Sequence, residues 1–258
     1  MIKNDFHNIE KQVGFKIPIE IKSFFKSYTY EDYGLILCDD ETILEFETIL
    51  LKLEIEEKLF PILDNENGDF AAIYLDGELE GMICFIEQGE SDISPNYISI
   101  WSLFESIKKA IDISNEDGID FYDLEKELPL LGNQFLKKDF SEIKNQLFMK
   151  FEFCTKPMIK RELAFKILKI VDEYDYKYVK EKFLRDDDMW IQERVINTLQ
   201  TSFKQNYMKD IFEILDREKV NPLLAMAVIL NQDKRFKNSL WMNEFKKRFP
   251  EIAASYIQ

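Results

Sequence analysis

Apolar positions change their period twice along this chain. Near the start they recur at helical spacing, with Ile9 and Val13 in one stretch and then Ile21, Phe24, Phe25 and Tyr28 in an i, i+3, i+4, i+7 stripe. Asp5 is placed to cap the first helix, and Gly14 to close it in the left-handed conformation that glycine enters freely. Pro18 suits the first turn of the second helix, whose Lys22 and Lys26 fall off the stripe toward water.

After Tyr33-Gly34 the pattern shortens to runs that read as strands: 35–37, 43–46 and 60–63, with a short helix between 47 and 57. The turn Asp64-Asn65-Glu66-Asn67-Gly68 separates the third run from 70–75, and Asp76-Gly77 separates that from 81–86, which implies two hairpins. The last two runs are apolar at consecutive positions, so both faces are expected to be covered, near the centre of an antiparallel sheet. A final strand over 97–101 runs into Ser102-Leu103-Phe104-Glu105, a capping-box spacing that opens a helix through Ile107 and Ile111.

Residues 112–134 carry polar and Leu128-Pro129 breaks and read as a linker between a first domain, 1–111, and a second, 135–258. Every later periodic segment is helical. One helix carries Ile159, Leu163, Phe165, Ile167 and Ile170, the next Val179 and Phe183, and a third Ile191, Val195, Ile196 and Leu199. A shift of 32 residues superposes Ile159 on Ile191, Leu163 on Val195, Ile167 on Leu199, Val179 on Ile211 and Phe183 on Leu215, the mark of a helical-hairpin repeat resembling HEAT-like stacks. Leu223 continues the shift; Trp241 and Phe245 fit only with a gap. The expected class is therefore α+β, an antiparallel sheet with flanking helices, followed by an all-α domain.

Charge sharpens this division. The 258 residues carry a net −15. Residues 31–107 hold 20 acids and only Lys52 and Lys58 as bases, whereas 111–258 are nearly balanced, with 26 acids and 25 bases. A field of that sign repels phosphate backbones and anionic lipid, so no direct nucleic-acid or membrane binding is expected; a basic partner is what it attracts. The longest apolar run is eight residues, 223–230, against the roughly 20 a membrane span needs. The start of the chain lacks the apolar core of a secretory signal, and a cytoplasmic location is expected.

Little in the sequence speaks for catalysis. The single histidine, His7, sits in the first helix, and no glycine-rich phosphate loop is present. Cys38, Cys84 and Cys154 lack the paired spacing of zinc sites and read as free thiols, and no cofactor is expected. Asp64, Glu66 and Asp69 suggest a metal loop, but from Asp64 the glycine falls at position five and Leu75 at position twelve, where a calcium loop needs glutamate, so a hairpin turn is the reading. Asp186-Asp187-Asp188 suits a helix start. Lys234-Arg235-Lys237 and Lys246-Lys247-Arg248 read as solvated helix faces.

Four motifs in the first 111 residues together resemble the SUKH superfamily, which includes fungal cell-wall assembly regulators and bacterial immunity proteins. They are Ile9-Glu10, Val13-Gly14, Ile17-Pro18 and Phe24-Phe25 at the start; Phe60-Pro61-Ile62 with Asn67-Gly68-Asp69 and the following strand; 81–85; and Trp101-Ser102-Leu103-Phe104-Glu105-Ser106-Ile107. Tyr33-Gly34 stands where the family usually has Asn-Gly. The resemblance implies a binding protein without catalytic activity, an antidote that blocks a cognate toxin domain with a basic surface, often a nuclease. The alternatives are a regulatory scaffold and, third, a metal-dependent enzyme using paired carboxylates.

Aromatics flanked by carboxylates make good interface anchors, because the ring supplies buried area and the charges set orientation. The candidate contact residues are Tyr30, Glu31, Asp32, Tyr33, Asp39, Asp40, Glu41, Glu87, Glu90, Asp92 and Tyr97.

Overall fold

A computed structural model of the chain describes residues 5–89, 91–113, 119–121, 124, 140–202, 243, 246–248, 250–251 and 254. The fold is α+β, and the chain divides into two compact units, 1–147 and 148–258.

In the first unit, α1 (Phe6–Val13) begins where the Asp5 side chain accepts the Asn8 amide, and ends at Gly14 with φ +76°. Helix α2 (Ile19–Ser27) follows, with Pro18 at its N-cap and Ile21, Phe24 and Phe25 buried. Lys22 is not simply solvated: its ammonium meets Glu10 at 2.6 Å, and the Glu10 carboxylate also accepts the Ile17 amide. These bonds tie the turn between α1 and α2. A 3-10 turn, Glu31–Tyr33, leads into β1 (Ile36–Leu37).

The expectation of a strand over 43–46 is overturned. Those residues lie inside α3 (Asp40–Lys52), because Asp39 caps the Thr42 amide at 2.8 Å and Ile43, Phe46 and Leu50 then bury at helical spacing. Four apolar-rich residues in a row do not distinguish a buried strand from a helix face.

Strands β2 (Leu59–Asp64), β3 (Phe70–Tyr74), β4 (Ile83–Ile86) and β5 (Pro95–Tyr97) complete a five-stranded antiparallel sheet of order β1-β2-β3-β4-β5. Both expected hairpins are present, with β3 at the centre and every residue of β3 and β4 buried. On one face Phe60, Ile73, Ile83 and Tyr97 align through the register, and the Phe25 ring of α2 lies 6.5 Å from Phe60 and 5.3 Å from Phe6 of α1. On the other, Phe46 of α3 packs its ring 5.4 Å from Phe70.

The strand expected over 97–101 is likewise corrected. It ends at Tyr97, and α4 (Ile100–Ile113) starts three residues later. The cap is Ser99 rather than Ser102: the Ser99 hydroxyl accepts the Ser102 amide, and the Ser102 hydroxyl accepts the Ser99 amide. Glu105 pairs instead with Lys108 at 3.0 Å. Of the stretch read as a linker, Ile119, Phe121 and Leu124 are buried and belong to the first unit. The rest of 112–134 beyond α4 is outside the described residues, Asp120 apart, which is exposed.

Helix α5 (Ser141–Phe153) spans the division between the units. In the second unit, α6 (Pro157–Ile170) is followed by a 3-10 turn, Glu173–Asp175, and a continuous helical stretch that ends in a π-helical turn, Val179–Phe183. Helix α7 (Met189–Ser202) then packs on α6. Leu163, Ile167, Val179, Phe183, Ile191, Val195 and Leu199 are all buried, as the repeat pattern requires of them. Ile159 and Phe165 are only half-buried, and Arg194 lies over the Phe165 ring. The expected register partners Ile211 and Leu215, the segment at Leu223, Trp241 and Phe245, and the Lys234-Arg235-Lys237 cluster lie outside the described residues. No helix among the described residues is long and apolar enough to cross a membrane.

Candidate protein-docking surface

Two groups of candidate residues flank β1. The first is the tyrosine turn. Tyr28 is buried and donates its hydroxyl to the Leu35 carbonyl at 2.7 Å, which fixes the chain on either side of the turn. Desolvation pushes the Tyr28 hydroxyl well above the usual phenol range, with the Glu31 charge adding to it. Tyr30 packs between Tyr28, Tyr33 and Phe104, with centroids 5.7 to 6.3 Å away. Tyr30, Glu31 and Tyr33 are half-buried, and the backbone of Asp32 lies within the turn. Tyr30 is thus held against Phe104 of α4, and Tyr33 against Tyr30.

The second group is the start of α3. Asp39 is exposed, Asp40 is half-buried with Oδ2 accepting the Asp5 amide at 3.3 Å, and Glu41 is exposed. The Thr42 amide holds the Asp39 carboxyl below the usual carboxylate range, and the Thr42 hydroxyl adds to it. Carboxylates here also favour the positive end of the helix dipole, which explains locally why three acids in succession are tolerated.

The remaining candidates lie in the β4–β5 connection. Ile36, Asp64, Phe70 and Ile86 form one row across the sheet, so the turn at 64–69 and the chain from Glu87 emerge at the end where the backbone enters β1. The Gln88 amide donates to Asp69 at 2.8 Å and joins the two connections. Glu87 is exposed; Asp92 is half-buried and accepts both the amide and the hydroxyl of Ser94. Glu90 is outside the described residues.

Tyr97 must be removed from the set. It is fully buried in β5, its ring 5.8 Å from Phe85, and offers nothing to a partner. All three residues of β5 are buried, and a tyrosine between Asn96 and Ile98 gave no sign in the sequence that both faces of this strand are covered.

The structure also adds Glu45 and Glu47 to the candidates, on the helix that carries Glu41. Once 40–52 is a helix, Glu41 and Glu45 share its solvent face, with Glu47, Thr48 and Leu51 exposed beside them; Leu51 is 70% exposed. The helical spacing of Ile43, Phe46 and Leu50 was the signal that could have found this face.

At the turn, Asp64 and Asn65 accept backbone amides of Glu66, Asn67 and Asp69, and Glu66 and Gly68 take positive φ. Burial pushes the Asp64 carboxyl up, and the neighbouring charges of Glu66 and Asp39 push the same way. Asp64 and Asp69 are thus engaged in bracing the turn, while Glu66 is exposed. Among the described residues, no group of three or more His, Cys, Asp or Glu is arranged to hold a metal ion.

In the second unit the Asp186-Asp188 cluster does cap α7, with Asp188 accepting the Trp190 amide at 2.9 Å, and it also ties that helix to α6 through Lys160–Asp186 and Arg161–Asp188. Lys246, Lys247 and Arg248 are helical and exposed.

Across 31–107, none of the described carboxylates is buried. They emerge at both ends of the sheet and along α3, so the field belongs to the unit as a whole. Comparison with known proteins yields no match among family models, curated proteins or solved structures.

Proposed function

We propose that this chain is an antidote that binds a cognate toxin domain with a basic surface and blocks it by direct contact in the cytoplasm, catalysing no reaction. The observation that carries the reading is the acidic excess between 31 and 107, 20 acids against two lysines, with none of the described carboxylates buried. Such a field accelerates capture of a cationic partner, toward about 10⁸ to 10⁹ per molar per second at low salt. Fast capture suits an antidote, and an acidic surface suits occlusion of a groove built to hold nucleic acid.

The first unit is read as SUKH-like on its sequence motifs, with the α+β arrangement compatible with that reading. The second is read as a HEAT-like stack, supported by the packing of α6 on α7 and the buried positions 32 residues apart. The tyrosine turn and the start of α3 supply the anchors.

The test is co-expression with the protein encoded beside it. Survival that depends on this chain, together with a complex whose association slows steeply with added sodium chloride, is the expected result. Survival without it, or an association rate indifferent to salt, overturns the reading. Several weak partners in place of one tight one would point to the scaffold alternative.

A further inference from the structure

A three-residue 3-10 turn has little stability of its own, since its i to i+3 bonds are poorly aligned and few. At 31–33 these are Tyr33 N–H to the Tyr30 carbonyl at 3.1 Å and Gly34 N–H to the Glu31 carbonyl at 3.3 Å. Something outside the turn must hold it. On one side the rings of Tyr28 and Phe104 do so, through Tyr30. On the other, the Ile119 N–H donates to the Tyr33 carbonyl at 2.7 Å, across 86 positions of sequence.

The donor is itself fastened to the sheet. Ile119 and Phe121 are each 4% exposed, and the Phe121 ring lies 4.7 Å from Phe85 of β4 at an interplanar angle of 32°. Phe85 in turn packs on Tyr97 of β5. A path of contact therefore runs from the far edge of the sheet, through the chain that follows α4, to the carbonyl that closes the tyrosine turn.

We propose that residues 119–121 are a strap that fixes the conformation of the Tyr30–Tyr33 turn, so that the chain downstream of α4 governs how that turn is presented at the surface. The strap is independent of what the surface binds: it predicts a local conformational equilibrium that is measurable without any partner. Lifting it frees the Tyr33 carbonyl and uncovers Phe85, while the hydrogen bonds of β3 to its neighbours remain.

The test is amide hydrogen exchange on the full chain. Ile119→Pro removes the N–H that bonds Tyr33, and Phe121→Ala removes the ring that anchors the segment. Exchange at Tyr33 and Gly34 is expected to rise on the order of tenfold in each, the factor a lost hydrogen bond of this kind produces, while amides of β3 keep their wild-type rates. Phe121→Leu keeps apolar volume at the site and is expected to give a smaller rise in the same amides. If Phe121→Ala does not fold, the proline and leucine variants decide.

No rise at Tyr33 and Gly34, or a rise matched throughout β3, overturns the strap, since either means that the turn holds itself or that 119–121 is merely part of the general core. Loss of toxin neutralisation with unchanged exchange would speak to the docking surface alone.

Discussion

Lys166 lies inside α6, 5% exposed, and burial alone lowers its ammonium pKa from the ordinary lysine value of 10.5 to about 8. Lysine rarely sits in such a place, and the cost is calculable. Each unit of pKa depression corresponds to about 1.4 kcal/mol, so the charged form at pH 7 lowers the stability of the fold by about 3 kcal/mol relative to a neutral side chain. Between about pH 8 and 10.5 the unfolded chain keeps a proton that the folded chain has released, so stability rises with pH across that window. Below pH 8 the penalty is constant.

Lys166→Met keeps the aliphatic stem and fills the same volume without the charge. At pH 7 it is expected to stabilise the second unit by about 1 to 3 kcal/mol, the polar contacts of the lysine head being given up in exchange. The assay is urea unfolding at pH 7.0 and 9.5, followed at Trp190 in a chain whose Trp101 and Trp241 are replaced by phenylalanine.

Restricting the readout to the second unit matters, because the buried Cys38 and Cys84 thiols of the first unit work in the opposite sense. Burial raises both above the usual thiol range. Their contribution is complete below the unfolded thiol value and is lost as pH climbs toward the raised folded one. Wild type is expected to gain stability from pH 7.0 to 9.5 and Lys166→Met to gain much less. Equal pH slopes in the two proteins, with no stabilisation at pH 7, would refute the assignment of a desolvated ammonium.

Asp39→Ala removes the α3 cap and is expected to cost about 1 kcal/mol by thermal unfolding. Because the folded Asp39 pKa is depressed, its contribution is present at neutral pH and disappears as pH falls through that lowered value; Asp39→Asn should retain the cap and lose this acid sensitivity. Phe183 is fully buried, with Phe151 and Tyr178 rings 4.7 and 5.5 Å away, so Phe183→Ala is expected to cost about 3 to 5 kcal/mol in urea unfolding. Replacing Glu41, Glu45 and Glu47 together by glutamine should leave circular dichroism and thermal stability near wild type, slow association with the proposed basic partner and flatten its salt dependence; unchanged association kinetics would count against the docking face.

Most of the first unit could be read from the chain because its signals are local and agree with one another. Asp5, Gly14 and Pro18 punctuate two short helices, and the Asn-Gly and Asp-Gly turns separate strands whose consecutive apolar residues imply two covered faces. Misreadings fell where one pattern serves two structures. Residues 43–46 are apolar enough for a strand, and only the cap at Asp39 and the wider Ile43, Phe46, Leu50 spacing reveal a helix. Ser99 and Ser102 both suit a helix start, and the choice depended on where β5 released the chain.

Lys166 escaped notice for a different reason. A lysine on a helix is taken for a solvated one, although the spacing of Leu163, Lys166 and Ile170 places it on a buried stripe. Tyr97 is the converse, an aromatic taken for a surface anchor that lies in a strand buried along its whole length. In both cases a tertiary contact settled what composition suggested otherwise.

The same separation explains why the acidic excess could be read without the fold. The described core of the first unit consists of apolar side chains from α1 to α4, the sheet and the chain that follows, with Ser94, Asn96, Ser106 and Lys144 among them and no carboxylate. Several acids do serve local structure: Asp5 and Asp39 cap helices, Asp64 and Asp92 brace turns. Glu41, Glu45, Glu47 and Glu66 project from exposed positions, where neutral glutamine would satisfy the same solvent. Self-repulsion among like charges opposes folding, and solubility is served equally well by mixed signs. An excess confined to 31–107, in a chain whose residues 111–258 are nearly balanced, is therefore explained neither by folding nor by solubility, and it is the feature on which the proposed basic partner rests.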